Sequence, residues 1–142
     1  MWAGGEKILP EINMQRIKAW AAKHPGFEVC LWVDKESTSP ENLDKYYSEY
    51  GFDQDPKITL LDITEEGVVD EFSRYHIDKL YPNYGASSDI LRYNILVKYG
   101  GAYFDSDIEV NENTKPLNYD GLFDSPDEKY SASVILLKDK QL

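Results

Sequence analysis

The sequence predicts an α/β fold with a mainly parallel sheet, and three observations support this prediction. Helix-like and strand-like segments alternate along the chain in the order β-α-β-α-β, which is typical of a sheet covered by helices. The strand candidates are mostly apolar on both faces, as expected inside a covered parallel sheet. The chain has 142 residues, 42% of them hydrophobic, which is enough for one domain with a real core.

The first half of the chain is predicted to contain two helices and two strands. A helix begins at Pro10, a residue that suits the first helical turn, and ends near the Pro25-Gly26 pair. The apolar residues predicted to share one face of this helix are Ile12, Ile17, Trp20 and Ala21. The elements that follow are a strand at 27–33, a helix at 41–50, a strand at 57–63 and a helix at 64–80 with a break at Gly67.

A further helix leads into the most informative part of the chain. Ser87 or Ser88 is predicted as its N-cap, with Asp89 in the first turn, where a carboxylate interacts favourably with the helix dipole. Gly100 is predicted to end the helix in the left-handed conformation, before a short apolar strand. The other predicted segments are a loop at 81–85, an acidic turn at 120–128 and a strand at 130–137.

Two aspartates at the end of the short strand, Asp105 and Asp107, are the candidate metal ligands. Ligand crevices in an α/β sheet open at the carboxyl ends of the strands. Side chains at alternate strand positions share one face, so both carboxylates can hold one divalent cation, which in turn can hold a diphosphate. Asp53 and Asp55 have the same spacing but lie in a predicted loop, so they serve as an internal control.

Two interpretations of Asp89 and Arg92 are open on spacing alone. Residues three apart are neighbours on a helix surface, so Asp89 can be a capping carboxylate with Arg92 as its partner. Beside the aspartate pair, the same two residues can instead bind the hydroxyls and phosphates of a ligand. Trp2 is likewise either a partly frayed apolar residue or an indole at a strand end that stacks on a nucleobase.

Charge and composition narrow the classes of function. A formal net charge of −11 argues against nucleic-acid binding, because contacts from Lys and Arg to phosphates supply most of that affinity. The same negative charge would repel an anionic nucleotide, and a cation held by Asp105 and Asp107 would offset this repulsion locally. The single cysteine, Cys30, excludes an internal disulfide and is predicted to be a buried apolar residue. No apolar run of about 18 residues is present, so no membrane span is expected in this chain.

Three motifs together resemble a known enzyme family. They are Trp2-Ala3-Gly4-Gly5, the run Ser-Ser-Asp-Ile-Leu-Arg at 87–92 and the run Tyr-Gly-Gly-Ala-Tyr-Phe-Asp-Ser-Asp at 99–107. Their order resembles that of the D-x-D sugar-nucleotide glycosyltransferases, which include the glucosyltransferase domain of large clostridial toxins and the related fungal initiating mannosyltransferases. The resemblance implies a glycosyltransferase-A type, Rossmann-like sheet that binds a nucleotide sugar with Mn²⁺ or Mg²⁺.

The resemblance also implies roles for the motif residues. Trp2 resembles the residue that stacks on uracil, Ser88 and Asp89 resemble the pair that contacts ribose or the donor sugar, and Arg92 resembles the residue that grips the sugar or phosphate. Tyr103 resembles a tyrosine that lines the donor pocket. Asp105 resembles the first motif aspartate, which contacts ribose and the water shell of the metal. Asp107 resembles the second, which binds the metal directly.

The implied reaction is transfer of a hexose from a UDP-sugar to a hydroxyl of a protein or glycan acceptor, with retention at the anomeric carbon. Asp107, through the cation, and Arg92 are the implied catalytic residues. One alternative is a catalytically silent sugar-nucleotide-binding or scaffolding module. Another is an acidic interaction domain whose aspartates bind only solvent or adventitious calcium. The resemblance favours a secreted effector that works in a host cytosol over an ordinary cytoplasmic enzyme.

Members of the resembled family have longer catalytic domains than this chain. We therefore expect residues 1–142 to form a single, incomplete domain that lacks most of the first strand and the third metal ligand. Missing sheet neighbours would leave backbone groups unpaired, which favours oligomerisation through the sheet edges.

Overall fold

The computed structural model describes residues 1–4, 7–54, 58–110 and, for the backbone of one strand, 134–137. Helices and strands alternate along these residues, which confirms the predicted α/β class. The helices are α1 (Glu11–Lys23), α2 (Pro40–Ser48), α3 (Glu71–Asp78) and α4 (Tyr84–Tyr99). The strands are β1 (Val29–Val33), β2 (Ile58–Asp62), β3 (Gly101–Phe104) and β4 (Val134–Leu137).

The strands form two pairs. β1 and β2 are parallel, with their first residues opposite each other, and Trp2 adds a single parallel bridge to Val33 of β1. β3 and β4 are antiparallel, with the first residue of β3 opposite the last residue of β4. The predicted parallel pairing is therefore present between β1 and β2, whereas β3 has an antiparallel partner.

β1 separates two hydrophobic clusters because its side chains alternate between the two faces of the sheet. Leu31 and Val33 pack in one cluster with residues of α1, α2 and β2, and Trp32 packs in the other with residues of α3 and α4. Both faces of the parallel pair are thus covered, as its apolar sequence predicted. The buried residues of the first cluster are Leu9, Met14, Ile17, Ala21, Leu31, Val33, Tyr46, Phe52, Ile58 and Leu60. Those of the second are Trp32, Ile63, Val68, Ile77, Leu91 and Ile95.

α1 buries part of the predicted face, because Ile17 and Ala21 are buried as expected and Ile12 is not. Met14, Ile17 and Ala21 are buried, whereas Ile12 is 54% exposed. Ile12 precedes Met14 by two residues, about 200° around the helix, so the two side chains cannot face the same layer. Pro10 is the residue before the helix and not part of its first turn. The boundaries predicted for β1, α2 and β2 agree with the structure to within two residues at each end.

The helix predicted over 64–80 is shorter than expected. The Asp62 carboxylate accepts a hydrogen bond from the Glu65 amide at 3.0 Å, and Gly67 has a φ of 68°, so the chain turns here before any helix forms. α3 begins after Asp70, whose side chain accepts from the Ser73 amide while the Ser73 hydroxyl accepts from the Asp70 amide. The predicted break at Gly67 is correct, and the helix lies entirely after it.

The N-cap of α4 lies four residues before Ser87, the first of its two predicted caps. Asn83 is the N-cap, and its side chain accepts a hydrogen bond from the Ala86 amide at 2.9 Å. Ser87 is fully buried, and its hydroxyl donates to the Ser73 carbonyl of α3. The prediction that Ser87 or Ser88 caps the helix is therefore wrong, and Asp89 lies in the second turn. Gly100 ends α4 as predicted, at φ 71° and ψ −159°, a glycine conformation other than the expected left-handed helical one.

Some predicted features cannot be compared with the structure. Asp55 and the acidic turn at 120–128 lie outside the described residues. The strand predicted at 130–137 is represented by β4, which covers its second half. None of the helices in the described part of the chain is long and apolar enough to cross a membrane.

Candidate functional site

The D-x-D triplet lies in a turn immediately after β3. The strand ends at Phe104, and the Ile108 amide donates to the Asp105 carbonyl at 3.1 Å. Asp105 and Asp107 thus follow the carboxyl end of the strand, as expected. Because both lie beyond the strand, they do not share a face through strand alternation, contrary to the sequence-based prediction. The Asp105 side chain is 33% exposed, and Asp107 is exposed to solvent.

Arg92 connects α4 to this turn. Its guanidinium Nη2 lies 2.7 Å from Asp89 Oδ1 and 3.8 Å from Asp105 Oδ1. Its Nε donates to the Ser88 carbonyl at 3.3 Å. The Arg92 side chain is only 7% exposed, whereas that of Asp89 is 64% exposed. Arg92 is therefore a buried cation that faces two carboxylates, one on its own helix and one in the D-x-D turn.

Tyr103 completes the group on the buried side. Its ring lies under the Arg92 guanidinium, with 5.0 Å between the guanidinium carbon and the ring centroid, a cation–π distance. Burial, together with the Asp105 carboxylate, raises the pKa of Tyr103 well above its usual value. The phenol therefore remains neutral at physiological pH and can donate a hydrogen bond.

Trp2 is held at the carboxyl end of β1. Its amide donates to the Trp32 carbonyl at 2.8 Å, and its indole Nε1 donates to the Lys7 carbonyl at 2.8 Å. The side chain is partly buried against the first hydrophobic cluster. Trp2 is therefore an ordered residue with a fixed ring, not the frayed residue that was one of its two interpretations.

A cavity of about 510 Å³ lies between β1 and β3. Met1, Trp32 and Tyr103 line it, and Asp105 lies at its boundary, so the N-terminal residues and the D-x-D turn share one space. Cys30 also lines the cavity and is half-buried, where full burial was expected. Burial raises the pKa of the Cys30 thiol to about 12, and Glu28 adds to this effect.

The structure thus brings five of the predicted site residues into direct contact around Arg92. They are Ser88, Asp89, Arg92, Tyr103 and Asp105. Asp107 lies two residues beyond Asp105 in the same turn, and Trp2 follows Met1, which lines the cavity together with Asp105. The spacing of Asp89 and Arg92 alone predicted one of these contacts. The contact with Ser88 also lies within α4, whereas those with Tyr103 and Asp105 join α4 to β3 and to the turn after it.

Sequence reasoning missed a polar cluster at the carboxyl end of β1. Asp34 is 1% exposed, and its Oδ2 accepts from the Ser37 hydroxyl at 2.6 Å and from Arg74 Nη1 at 3.2 Å. Asp62, at the end of β2, accepts from the Lys35 amide at 2.8 Å. An aspartate at the end of an apolar strand was the available signal, and it was used only at Asp105. These contacts order the loops beside Trp2.

The aspartates of the turn are suitable ligands for a hard cation. Carboxylate oxygens are the ligands that Mg²⁺ and Mn²⁺ prefer. In the described residues, no group of three or more His, Cys, Asp and Glu side chains could hold a metal ion. Asp105 and Asp107 offer two carboxylates in one turn, and Mg²⁺ is usually bound by one or two carboxylates together with water and substrate phosphates.

Comparison with known proteins identifies similar chains. Residues 10–124, which include the D-x-D turn, match the family model described as glycosyltransferase sugar-binding region containing DXD motif. The chain is 43% identical over 108 residues to "Subversion of eukaryotic traffic protein A" of Legionella pneumophila, which covers 76% of this chain and 16% of that protein. It therefore spans about a sixth of the length of that curated relative.

A solved structure shows the same fold. The PaToxG glycosyltransferase superposes with a TM-score of 0.58 at 28% identity, over 75% of this chain and 40% of that chain. The expected glycosyltransferase-A type, Rossmann-like architecture is thereby confirmed.

Proposed function

Because this chain belongs to the family of glycosyltransferase sugar-binding regions that contain a DXD motif, we propose that it transfers a hexose from a UDP-sugar to a hydroxyl of a protein or glycan acceptor. The observation that carries the proposal is the D-x-D turn after β3, with Asp105 facing the buried Arg92 and Asp107 exposed. The proposed unit is one nucleotide-sugar-binding domain that spans the chain.

The geometry supports different roles for the two aspartates, with Asp107 binding the cation and Asp105 accepting hydrogen bonds. Asp107 is exposed, so its carboxylate can bind a divalent cation, Mn²⁺ or Mg²⁺, without leaving a protein partner. Asp105 already faces a cation, Arg92, and is suited to accept hydrogen bonds from ribose and from water around the metal. When bound, the cation would neutralise charge on the departing diphosphate.

We assign the remaining motif residues to other parts of the donor. The exposed Asp89 carboxylate can accept from sugar hydroxyls while Arg92 holds it in place, and Ser88 lies beside it on the helix. Trp2, with its ring fixed by the hydrogen bond to Lys7, provides a stacking surface for uracil. Tyr103, a neutral phenol, lines the proposed donor pocket on the buried side of Arg92.

The proposed chemistry needs no protein nucleophile. The bond between the anomeric carbon and the donor phosphate oxygen breaks, and its electron pair remains on that oxygen. The acceptor oxygen bonds to the anomeric carbon on the same face, and its proton passes to the departing phosphate oxygen. Arg92 contributes a fixed positive charge in a water-poor position, where electrostatic stabilisation is strongest.

A donor-binding module without transfer activity is the second candidate. This candidate is favoured because every residue that carries the motif resemblance is assigned to binding of the donor or its cation. For either candidate, we propose action in a host cytosol, because the name of the Legionella relative refers to subversion of eukaryotic traffic. Association of copies through sheet edges is a further proposal, based on the short two-stranded pairings.

The proposal is tested by calorimetric titration of the chain with UDP-glucose, with and without Mn²⁺. We expect Mn²⁺-dependent binding that is lost in Asp107→Asn and retained in Asp55→Asn, which changes the other D-x-D triplet. UDP release in the presence of candidate acceptors then separates an enzyme from a binding module. If no UDP-sugar binds with Mn²⁺, or if both variants bind equally, the proposed function is wrong.

A further inference from the structure

The segment from Tyr103 to Ile108 is held from two sides. Tyr103 and Asp105 face Arg92 of α4. The alternate positions, Phe104, Ser106 and Ile108, contact α1 instead. The end of β3 and the D-x-D turn therefore lie between contacts with α4 and contacts with α1.

Two residues of α1 make the contacts on the second side. The Trp20 ring stacks on Phe104, with centroids 4.4 Å apart, and its Nε1 donates to the Ile108 carbonyl at 3.1 Å. Asn13 Nδ2 donates to the Ser106 hydroxyl at 3.3 Å. The three contacts therefore bracket the triplet: one precedes Asp105, one lies between the aspartates and one follows Asp107.

α1 is itself a rigid support. Ile17 and Ala21 are buried in the first hydrophobic cluster beside β1, and Asn13 is only 8% exposed. The Trp20 ring also stacks on His24, with 5.2 Å between centroids. A buried polar side chain such as Asn13 is costly unless it is hydrogen-bonded, so its contact with Ser106 is not an incidental surface contact.

We propose that Asn13 and Trp20 are positioning residues that orient the D-x-D turn for cation binding. This inference rests on the proposed function and extends it to residues outside the three motifs. Asn13 acts through Ser106, the residue between the two carboxylates. Trp20 acts through the Phe104 ring before the turn and through the Ile108 carbonyl after it. Residues that orient metal ligands in this way affect metal affinity without touching the metal.

The test compares Asn13→Ala and Trp20→Phe with Asn94→Ala. Trp20→Phe keeps an aromatic ring against Phe104 and removes only the indole donor. Asn94 is the matched control because its side chain also donates hydrogen bonds between elements, to the Val68 carbonyl and the Asp70 carboxylate, away from the turn. Amide hydrogen exchange of residues 105–108 is measured without metal, and UDP binding is measured over a range of Mn²⁺ concentrations.

We expect faster exchange at 105–108 in Asn13→Ala and Trp20→Phe. We also expect about a tenfold higher Mn²⁺ concentration for half-maximal UDP binding, with metal-free UDP affinity unchanged. Asn94→Ala should change neither property. Adding Ser106→Ala to Asn13→Ala should have little further effect on the Mn²⁺ requirement, because the two residues act through one contact.

Three results would overturn the inference: unchanged exchange in both variants, faster exchange with an unchanged Mn²⁺ requirement, or an equal effect of Asn94→Ala. Failure of the unaltered chain to bind UDP with Mn²⁺ is a different result, which refutes the proposed function. In that case the exchange measurement, which needs no ligand, still decides whether α1 holds the turn.

Discussion

Arg92 shows how one buried charge determines the roles available to its neighbours. A guanidinium removed from water is stable only when it is paired, and its partners are Asp89 at 2.7 Å and Asp105 at 3.8 Å. A metal ion bound mainly by Asp105 would compete with Arg92 for the Asp105 carboxylate. Asp107, exposed in the turn, avoids this competition. This arrangement of charges supports the proposal that Asp107 is the direct metal ligand.

Replacing Arg92 tests this arrangement at the level of stability. Arg92→Met keeps an unbranched apolar stem but leaves Asp89 and Asp105 without their shared cation. We expect the free energy of unfolding, measured with urea, to fall by about 1–3 kcal/mol. Arg92→Lys keeps the charge and should lose less, although it cannot reproduce the forked contacts. Unchanged stability in Arg92→Met would contradict a structural role for these contacts.

The start of α4 is decided by its contact with another helix. Ser87, a plausible cap in sequence, is buried against α3, where its hydroxyl donates to the Ser73 carbonyl. Asn83 caps the helix one turn earlier. The extra turn also brings the Tyr84 ring against Gly4, which has a φ of 103°. A Cβ atom at position 4 would lie 2.9 Å from this ring, which is too close for a side chain. Helix α4 is therefore tied to α3 and to the segment that carries Trp2.

Exchanging the two candidate caps for alanine distinguishes them. We expect Asn83→Ala to lower the free energy of unfolding by about 1 kcal/mol, because the Ala86 amide loses its acceptor. Ser88→Ala should change it by less than about 0.5 kcal/mol, as is usual away from caps and cores. Thermal or urea unfolding monitored by circular dichroism measures both. A larger loss in Ser88→Ala would show that the predicted cap was correct.

Across the whole molecule, the proposed site is assembled from parts that are distant in sequence. Trp2 joins β1, Arg92 belongs to α4 and the D-x-D turn follows β3, with the cavity between β1 and β3 beside them. Two helices, α1 and α4, hold the turn from opposite sides. A ligand that binds only this assembled site should stabilise the entire fold, because the site does not exist in the unfolded chain.

Ligand-linked stability measures this coupling. With Mn²⁺ and UDP both present, UDP at about 100 times its dissociation constant should stabilise the fold by about 2.7 kcal/mol, seen as a higher Tm. UDP or Mn²⁺ alone should give a much smaller shift. Asp107→Asn should abolish the combined effect, and Asp55→Asn should retain it. An equal rise in Tm with UDP in the absence of metal would contradict metal-dependent binding.

Features that depend only on residues close together in the sequence were predicted correctly. The α/β alternation, the strands of the parallel pair, the turn at Gly67 and the end of α4 at Gly100 follow from local patterns of apolar residues and glycines. The Asp89–Arg92 contact follows from helical spacing alone. The motif order predicted membership of the glycosyltransferase family, which the family match confirms.

Features that depend on which elements meet were decided only by the tertiary structure. Ile12 is exposed because the sheet covers the opposite face of α1, and Ser87 cannot cap α4 because α3 takes its hydroxyl. The contact between Asn13 and Ser106 joins residues 93 positions apart, and no local pattern encodes it. Local propensity describes each segment by itself, whereas the partner of a polar side chain is chosen by packing, because a buried donor must find its acceptor wherever the fold places one.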